Sequence, residues 1–179
     1  MAENYVSLYR RAAYYGVPVG IVMSVMAVSA IYVDKVSQLA VVVIAMVLLL
    51  PCVLYHYERK MYKAEYGFTE YSGLWMLGIL TMIYGSLITS FVTLGVFTFL
   101  RPGYFYEQAQ LCITLYSTST DPQVQESVTM LKRMVEGNML PKPIEVVFAA
   151  FWLWSFVGSI LSALVALVVK RVPVRDARR

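Results

Sequence analysis

From Val36 to Tyr57 the chain carries no charged side chain, and between Leu39 and Leu54 it is apolar at every position but Cys52. A helix over that run would be roughly 30 Å long, the thickness of a bilayer's hydrocarbon core. In lipid the backbone can bond only to itself, so the run is forced into a helix. Three further segments meet the same test: about Tyr14–Val33, about Leu74–Leu100 and about Ile144–Val169. Charge flanks them, with Arg10 and Arg11 before the first, Asp34 and Lys35 after it, Arg101 after the third and Lys170-Arg171 after the fourth. The chain therefore reads as all-α: a polytopic membrane protein with four transmembrane helices, forming a single membrane domain over residues 1–179. Composition agrees. Apolar residues make up 59% and charged residues 15%, against about 45–50% and about 25% in soluble domains.

The third and fourth spans exceed the hydrocarbon thickness, which predicts tilt. The first and second are separated by a tight turn only, which predicts an antiparallel hairpin. Arg10-Arg11 ahead of an apolar run, with Val28-Ser29-Ala30 resembling a cleavage site, also fits a signal peptide; a retained span is the expectation. Pro18 and Pro51 fall near the inner ends of their spans, where they predict kinks rather than the broken helices of transporters.

Orientation follows from Lys and Arg. Ten of the fifteen lie on one side, in Arg10-Arg11, in Arg59, Lys60 and Lys63, and in the C-terminal Lys170, Arg171, Arg175, Arg178 and Arg179. That side, with both termini and the 58–73 loop, is expected to be cytoplasmic. Tyrosines and tryptophans near both ends of the spans fit headgroup-level anchors.

The outer segment, about 101–143, is too long for a bare connection. Asp121 can cap a helix and Pro122 suits its first position. Val124, Val128, Leu131 and Val135 then recur at helical spacing, and Gly137-Asn138 with Pro141 and Pro143 ends the pattern. An amphipathic helix is predicted over about 122–136, with a second one, or an extension of the third span, over 104–116.

Candidate chemistry is sparse. Cys52 and Cys112 are too few for a disulfide framework and fall on opposite sides of the expected membrane, and His56, as the single histidine, offers no metal spacing. No Asp, Glu, Lys or Arg lies in the middle of a span as delimited above, which argues against a proton-coupled transporter. The outer carboxylates Glu107, Asp121, Glu126, Glu136 and Glu145 have no paired spacing. Two patterns remain. Arg59, Lys60 and Lys63 form a basic cluster at the inner boundary and could contact anionic lipid. Small residues recur every fourth position, as Gly16-Gly20-Ser24, Thr81-Gly85-Thr89, Ser155-Ser159-Ala163 and Gly158-Ser162-Ala166. Such rows let helix backbones approach closely. The two rows of the fourth span predict one face inside the bundle and one against another chain.

The two N-terminal spans, the run Gly67-Phe68-Thr69-Glu70-Tyr71-Ser72-Gly73 before the third, the Tyr-rich start of the outer helical segment, Met134 and Pro141, and the ending Ser162-Ala163-Leu164 before Lys170-Arg171 resemble a family of four-helix inner-membrane proteins of Bacteroidota, a domain of unknown function. The resemblance spans nearly the whole chain. It carries over no functional residue, and it implies a partner among envelope glycosyltransferases of the polyprenyl-phosphate type.

These features point to a non-enzymatic accessory subunit of the bacterial inner membrane that scaffolds or regulates a partner. Its contacts would be membrane lipids and another membrane protein or a second copy of itself, with no nucleic acid and no cofactor. The alternative is a small transporter or lipid-handling carrier whose cavity would be lined by Thr81, Ser86, Thr89, Ser90 and Thr93 with serines of the fourth span. An enzyme acting on lipid at the outer surface ranks last. The orientation is testable with single-cysteine variants and an impermeant thiol reagent in spheroplasts. Position 125 should label in intact cells and position 175 only after permeabilisation; the reverse pattern would overturn the topology.

Overall fold

The computed structural model describes residues 7–65, 69–119, 121–137 and 139–172. Among them the structure is helical throughout: α1 (Leu8–Tyr32), α2 (Leu39–Ala64), α3 (Tyr71–Gly95), α4 (Tyr104–Tyr116), α5 (Pro122–Glu136) and α6 (Pro143–Arg171). Four of these, α1, α2, α3 and α6, are long and apolar enough to cross a membrane. The chain is a multi-pass membrane protein by that measure, with two shorter helices between its third and fourth spans.

The helices run past the hydropathic limits of the spans. Ser7 caps α1, its hydroxyl accepting from the Arg10 amide, so α1 starts at Leu8 rather than near Tyr14. Hydropathy ends the second span near Tyr57, yet α2 continues through Glu58, Arg59 and Lys60 to Ala64. A helix obeys backbone geometry, and it does not stop where the lipid does. Gly67 and Phe68, Asn138 and the basic residues Arg175, Arg178 and Arg179 lie outside the described residues.

The chain divides into two compact units. One comprises 1–93 with 149–179 and holds α1, α2, most of α3 and most of α6. Here α1 and α2 form the expected antiparallel hairpin. Tyr15 stacks on Tyr57 with ring centroids 4.5 Å apart, and Arg11 pairs with Glu65 at 3.1 Å. Against α3 the contact is backbone to backbone. A Cβ placed on Gly16 would lie 2.5 Å from Tyr84 Cβ, and one on Gly20 would lie 2.9 Å from Ile88 Cβ and 3.1 Å from the Gly85 carbonyl. Thr89 donates its hydroxyl to the Gly85 carbonyl at 2.9 Å and lies 3.3 Å from that of Gly20. The small-residue rows of the first and third spans thus meet each other. α2 is the least buried of the four long helices; Val41 is 69% and Leu48 67% exposed, as side chains facing lipid would be.

The other unit, residues 94–148, contains the end of the third span and α4 and α5. The third span closes in a π-helical turn, Val96–Leu100, in which the Arg101 amide bonds to the Val96 carbonyl at 2.8 Å. Pro102-Gly103 follow, and α4 begins afresh as a separate helix rather than continuing the span. Arg101 is buried; its guanidinium bonds the Glu107 carboxylate and lies 5.0 Å from the Tyr104 ring centre. As the sequence predicts, Asp121 caps α5, accepting from the Gln123 amide at 3.0 Å, with Pro122 in the first turn. α5 packs on α4, burying Val128 and half-burying Val124, Leu131 and Val135.

Two glycines separate packing from propensity. Gly20→Val should lower stability in detergent by about 1–3 kcal/mol, since the Ile88 side chain and the Gly85 backbone leave no room. Gly95→Ala, where an added methyl meets nothing within 4 Å, should be neutral or stabilise by up to about 1 kcal/mol. Thermal unfolding of the two variants checks the pair. Equal destabilisation would refute the close α1–α3 approach.

Candidate functional site

From Pro51 to Lys63, α2 sends its residues in two directions. Leu54, Glu58, Met61 and Tyr62 are buried. Cys52, Tyr55, His56, Arg59, Lys60 and Lys63 line a cavity of about 600 Å³, which Val172 at the end of α6 completes. The spacing 52, 55–56, 59–60 and 63 is one helix face, so a single stretch of sequence presents both thiol and cations. Pro51, Cys52 and Tyr55 also line an adjoining apolar groove of about 330 Å³ with Leu164, Val165 and Val168 of α6. Because Cys52 and Tyr55 belong to both, the apolar groove between α2 and α6 borders the basic cavity. All three residues of the expected anionic-lipid cluster, Arg59, Lys60 and Lys63, sit together there.

Arg59 also has a structural task. Its Nη1 donates to the carbonyls of Val169, at 3.2 Å, and Val172. The last carbonyls of a helix have no intrahelical donors, and a cation there also meets the negative end of the helix dipole. Lys60 Nζ lies 5.9 Å from the Tyr15 ring centre. Arg59 thereby fixes α6 against α2, and the cavity walls with it.

Behind the cavity, on the buried face of α2, Glu58 is completely enclosed. Ser162 of α6 lies with its hydroxyl 3.0 Å from Glu58 Oε1 and 3.1 Å from the Trp75 carbonyl of α3. Glu58 Oε2 has no hydrogen-bond partner. Gly78 of α3 makes the cluster possible, because a Cβ there would fall 1.9 Å from Ser162 Oγ and 2.5 Å from Glu58 Oε1. Hydropathy had set Glu58 in the 58–73 loop and left the spans free of acid. The correction follows from helical spacing: Leu50, Leu54, Glu58 and Tyr62 continue one buried face across the point where charge begins.

Both small-residue rows of the fourth span have residues in contact with α3. In the first, Gly158 meets Met82, with an added Cβ 2.7 Å from its side chain, while Ser162 and Ala166 are fully buried. The second row is half-buried. Ser155 shares a 3.1 Å hydrogen bond with Ser86. The Ser159 carbonyl accepts from Trp75 Nε1 at 3.1 Å, and the Ala163 carbonyl from the Tyr71 hydroxyl at 3.3 Å. Thr81, Ser86 and Thr89 are buried on α3. Several carboxylates between the third and fourth spans and at the start of α6 have local duties: Glu107 pairs with Arg101, Asp121 caps α5, and Glu145 accepts from the Lys142 amide. Among the described residues no three of His, Cys, Asp and Glu gather as metal ligands, and Cys52 and Cys112 are exposed free thiols.

A family model described as "Protein of unknown function (DUF4199)" matches residues 14–171. The chain belongs to the DUF4199 family. The match takes in α2 to α6 and most of α1, so the apolar groove, Glu58 and every residue of the basic cavity but Val172 fall within the family domain. No curated protein and no solved structure matches this DUF4199 chain.

The capping role of Arg59 can be isolated. Arg59→Gln should speed amide exchange over residues 168–172 by about tenfold, the equivalent of about 1.4 kcal/mol and within reach of lost charge-assisted bonds. Lys60→Gln should leave those amides unchanged. Equal exchange in both variants would show that Arg59 does not hold α6.

Proposed function

We propose that this DUF4199 protein is a non-enzymatic accessory subunit of the bacterial inner membrane, with cytoplasmic termini, that binds an anionic lipid between α2 and α6. The single observation that supports this most is that the apolar groove and the basic cavity adjoin, sharing Cys52 and Tyr55. A lipid has the same construction, a tail joined to a charged head. The tail gains little from the groove, since bilayer tails are as apolar as Leu164, Val165 and Val168. Selection must therefore come from the head, at about 1 kcal/mol for each Lys or Arg near it. Lys60 and Lys63 supply two such charges, and Arg59 holds the wall in place.

A partner in this scheme approaches α6 beside the groove. The half-buried row Ser155-Ser159-Ala163 lies at the edge of the α3 contact and suits a second helix, either of another membrane protein or of a second copy. An envelope glycosyltransferase of the polyprenyl-phosphate type is the partner class that the family resemblance favours, because its substrate is itself an anionic lipid. Affinity purification in mild detergent, with and without Ser159→Leu, tests this contact. Loss of a stoichiometric partner from a folded variant supports it; a partner retained in full refutes it.

The second reading, a lipid-handling carrier, draws on the same groove. It differs in requiring that the lipid leave on the other side of the membrane, which a fluorescent-lipid scramble assay in proteoliposomes would detect.

For the lipid site itself, the variant Lys60→Gln/Lys63→Gln should weaken binding of phosphatidylglycerol by roughly 30-fold, the worth of two charges at about 1 kcal/mol each. Phosphatidylcholine binding should not change. Native mass spectrometry of the detergent-purified protein titrated with each lipid measures both. Unchanged phosphatidylglycerol occupancy would overturn the assignment.

A further inference from the structure

The Glu58 cluster contains one hydrogen too few. Ser162 has a single hydroxyl proton, and two acceptors face it: Glu58 Oε1 at 3.0 Å and the Trp75 carbonyl at 3.1 Å. If Glu58 is a carboxylate, that one proton serves either the carboxylate or the carbonyl. The charge is then left with at most one donor, inside three packed helices and with no exposure to solvent. Such a charge costs several kcal/mol unless a cation is supplied. Among the described residues no side-chain cation takes that part. On α2 itself, Arg59 is turned to the Val169 and Val172 carbonyls and Lys60 to the Tyr15 ring, while Lys63 is exposed. From the neighbouring helices Gly78 of α3 and Ser162 of α6 face Glu58, and neither is charged or titratable. The remaining ion pair of this region, Arg11 with Glu65, is complete in itself.

We propose that Glu58, Ser162 and the Trp75 carbonyl form a proton-binding site within the helix bundle. With one added proton on Glu58 Oε1 the cluster satisfies itself in a row. The carboxyl O–H donates to Ser162 Oγ, and the Ser162 O–H donates to the Trp75 carbonyl. Each proton then has one acceptor. Oε2 remains as a neutral carboxyl oxygen, which tolerates the lack of a donor better than a charged one does. Gly78 is the enabling residue, because any side chain there would occupy the position of the Ser162 hydroxyl.

The chemistry is a reversible protonation: Glu58–COOH gives Glu58–COO⁻ and releases one proton to water. The deprotonated form cannot persist in the packed arrangement without a compensating cation or water. Release must therefore accompany a parting of α2 from α3 and α6. An ionisable residue within a membrane bundle is costly and marks a functional site by default, and the site proposed here stands whether or not the α2–α6 groove takes lipid.

Dicyclohexylcarbodiimide, which reacts with protonated carboxyls in apolar surroundings, tests the site in the purified full-length protein in detergent. The expected result is one adduct mapped by mass spectrometry to Glu58, absent from Glu58→Gln and undiminished by excess sodium or potassium. Because Glu58→Gln could fold poorly, the wild-type adduct map stands as evidence by itself, and infrared spectra should show the carbonyl band of a buried carboxylic acid. Absence of both the adduct and the band from folded protein would overturn the proposal. Protection by sodium or potassium would also overturn it, by making the occupant a metal cation.

Discussion

The contact on which the structure depends is the meeting of backbones along α3. Lipid offers no hydrophobic reward for bringing two helices together, so association has to come from close packing and from hydrogen bonds between the helices. α3 provides both, on two sides. Toward α1 it presents Gly85 to Gly16, Val19 and Gly20, with Thr89 bridging to the Gly20 carbonyl. Toward α6 it presents Gly78 to Ser162, and Met82 to Gly158. Each glycine in these pairs removes about a methyl group from a seam that has no slack. α2 lacks such a seam over its first half and keeps large aliphatic residues there, suited to lipid.

Polar groups in this unit occupy the seams rather than the lipid-facing surface. Ser86 with Ser155, Thr89 with the Gly20 carbonyl, and Ser162 with Glu58 and Trp75 form a series of links between neighbouring helices. Each is worth about 0.6 kcal/mol on average in a membrane protein, so no single one fixes the fold. Cations, by contrast, collect at one end of the α2–α6 pair, where Arg59 ties the two helices and Lys60 and Lys63 border the cavity. Tail-like and head-like surroundings adjoin one another because the apolar and basic parts of α2 are consecutive in sequence.

The existence of the four spans, the hairpin of the first two, and the capped helix at Asp121-Pro122 were all legible in the sequence, since each rests on a local rule: apolar length, short turns, capping chemistry. The basic cluster was also legible, because Arg59, Lys60 and Lys63 share one helix face by spacing alone. What escaped was Glu58. Reading span limits from hydropathy stops at the first charge, whereas burial follows the helical period, and Leu50-Leu54-Glu58-Tyr62 obeys the period. The groove was not legible either. It requires knowing that α6 lies beside α2, and that pairing is set by small-residue contacts whose partners the sequence does not name. Arg101 is a comparable case, a span-ending charge that proves to be buried against Tyr104 and Glu107.

The separation in sequence between Glu58 and Ser162, 104 residues, bears on how the protein is made. Synthesis at about 5–20 residues per second delivers α2 to the membrane roughly 5–20 s before the turn of α6 that carries its hydroxyl partner. Throughout that interval the carboxyl has neither Ser162 nor, at first, the Gly78 notch of α3. Sitting near the end of α2, it can wait at the aqueous boundary while the apolar half of the helix is already inserted. Docking of α6 then draws it in. The burial of this acid therefore waits on α6, and it can go to completion only after Ser162 has left the ribosome.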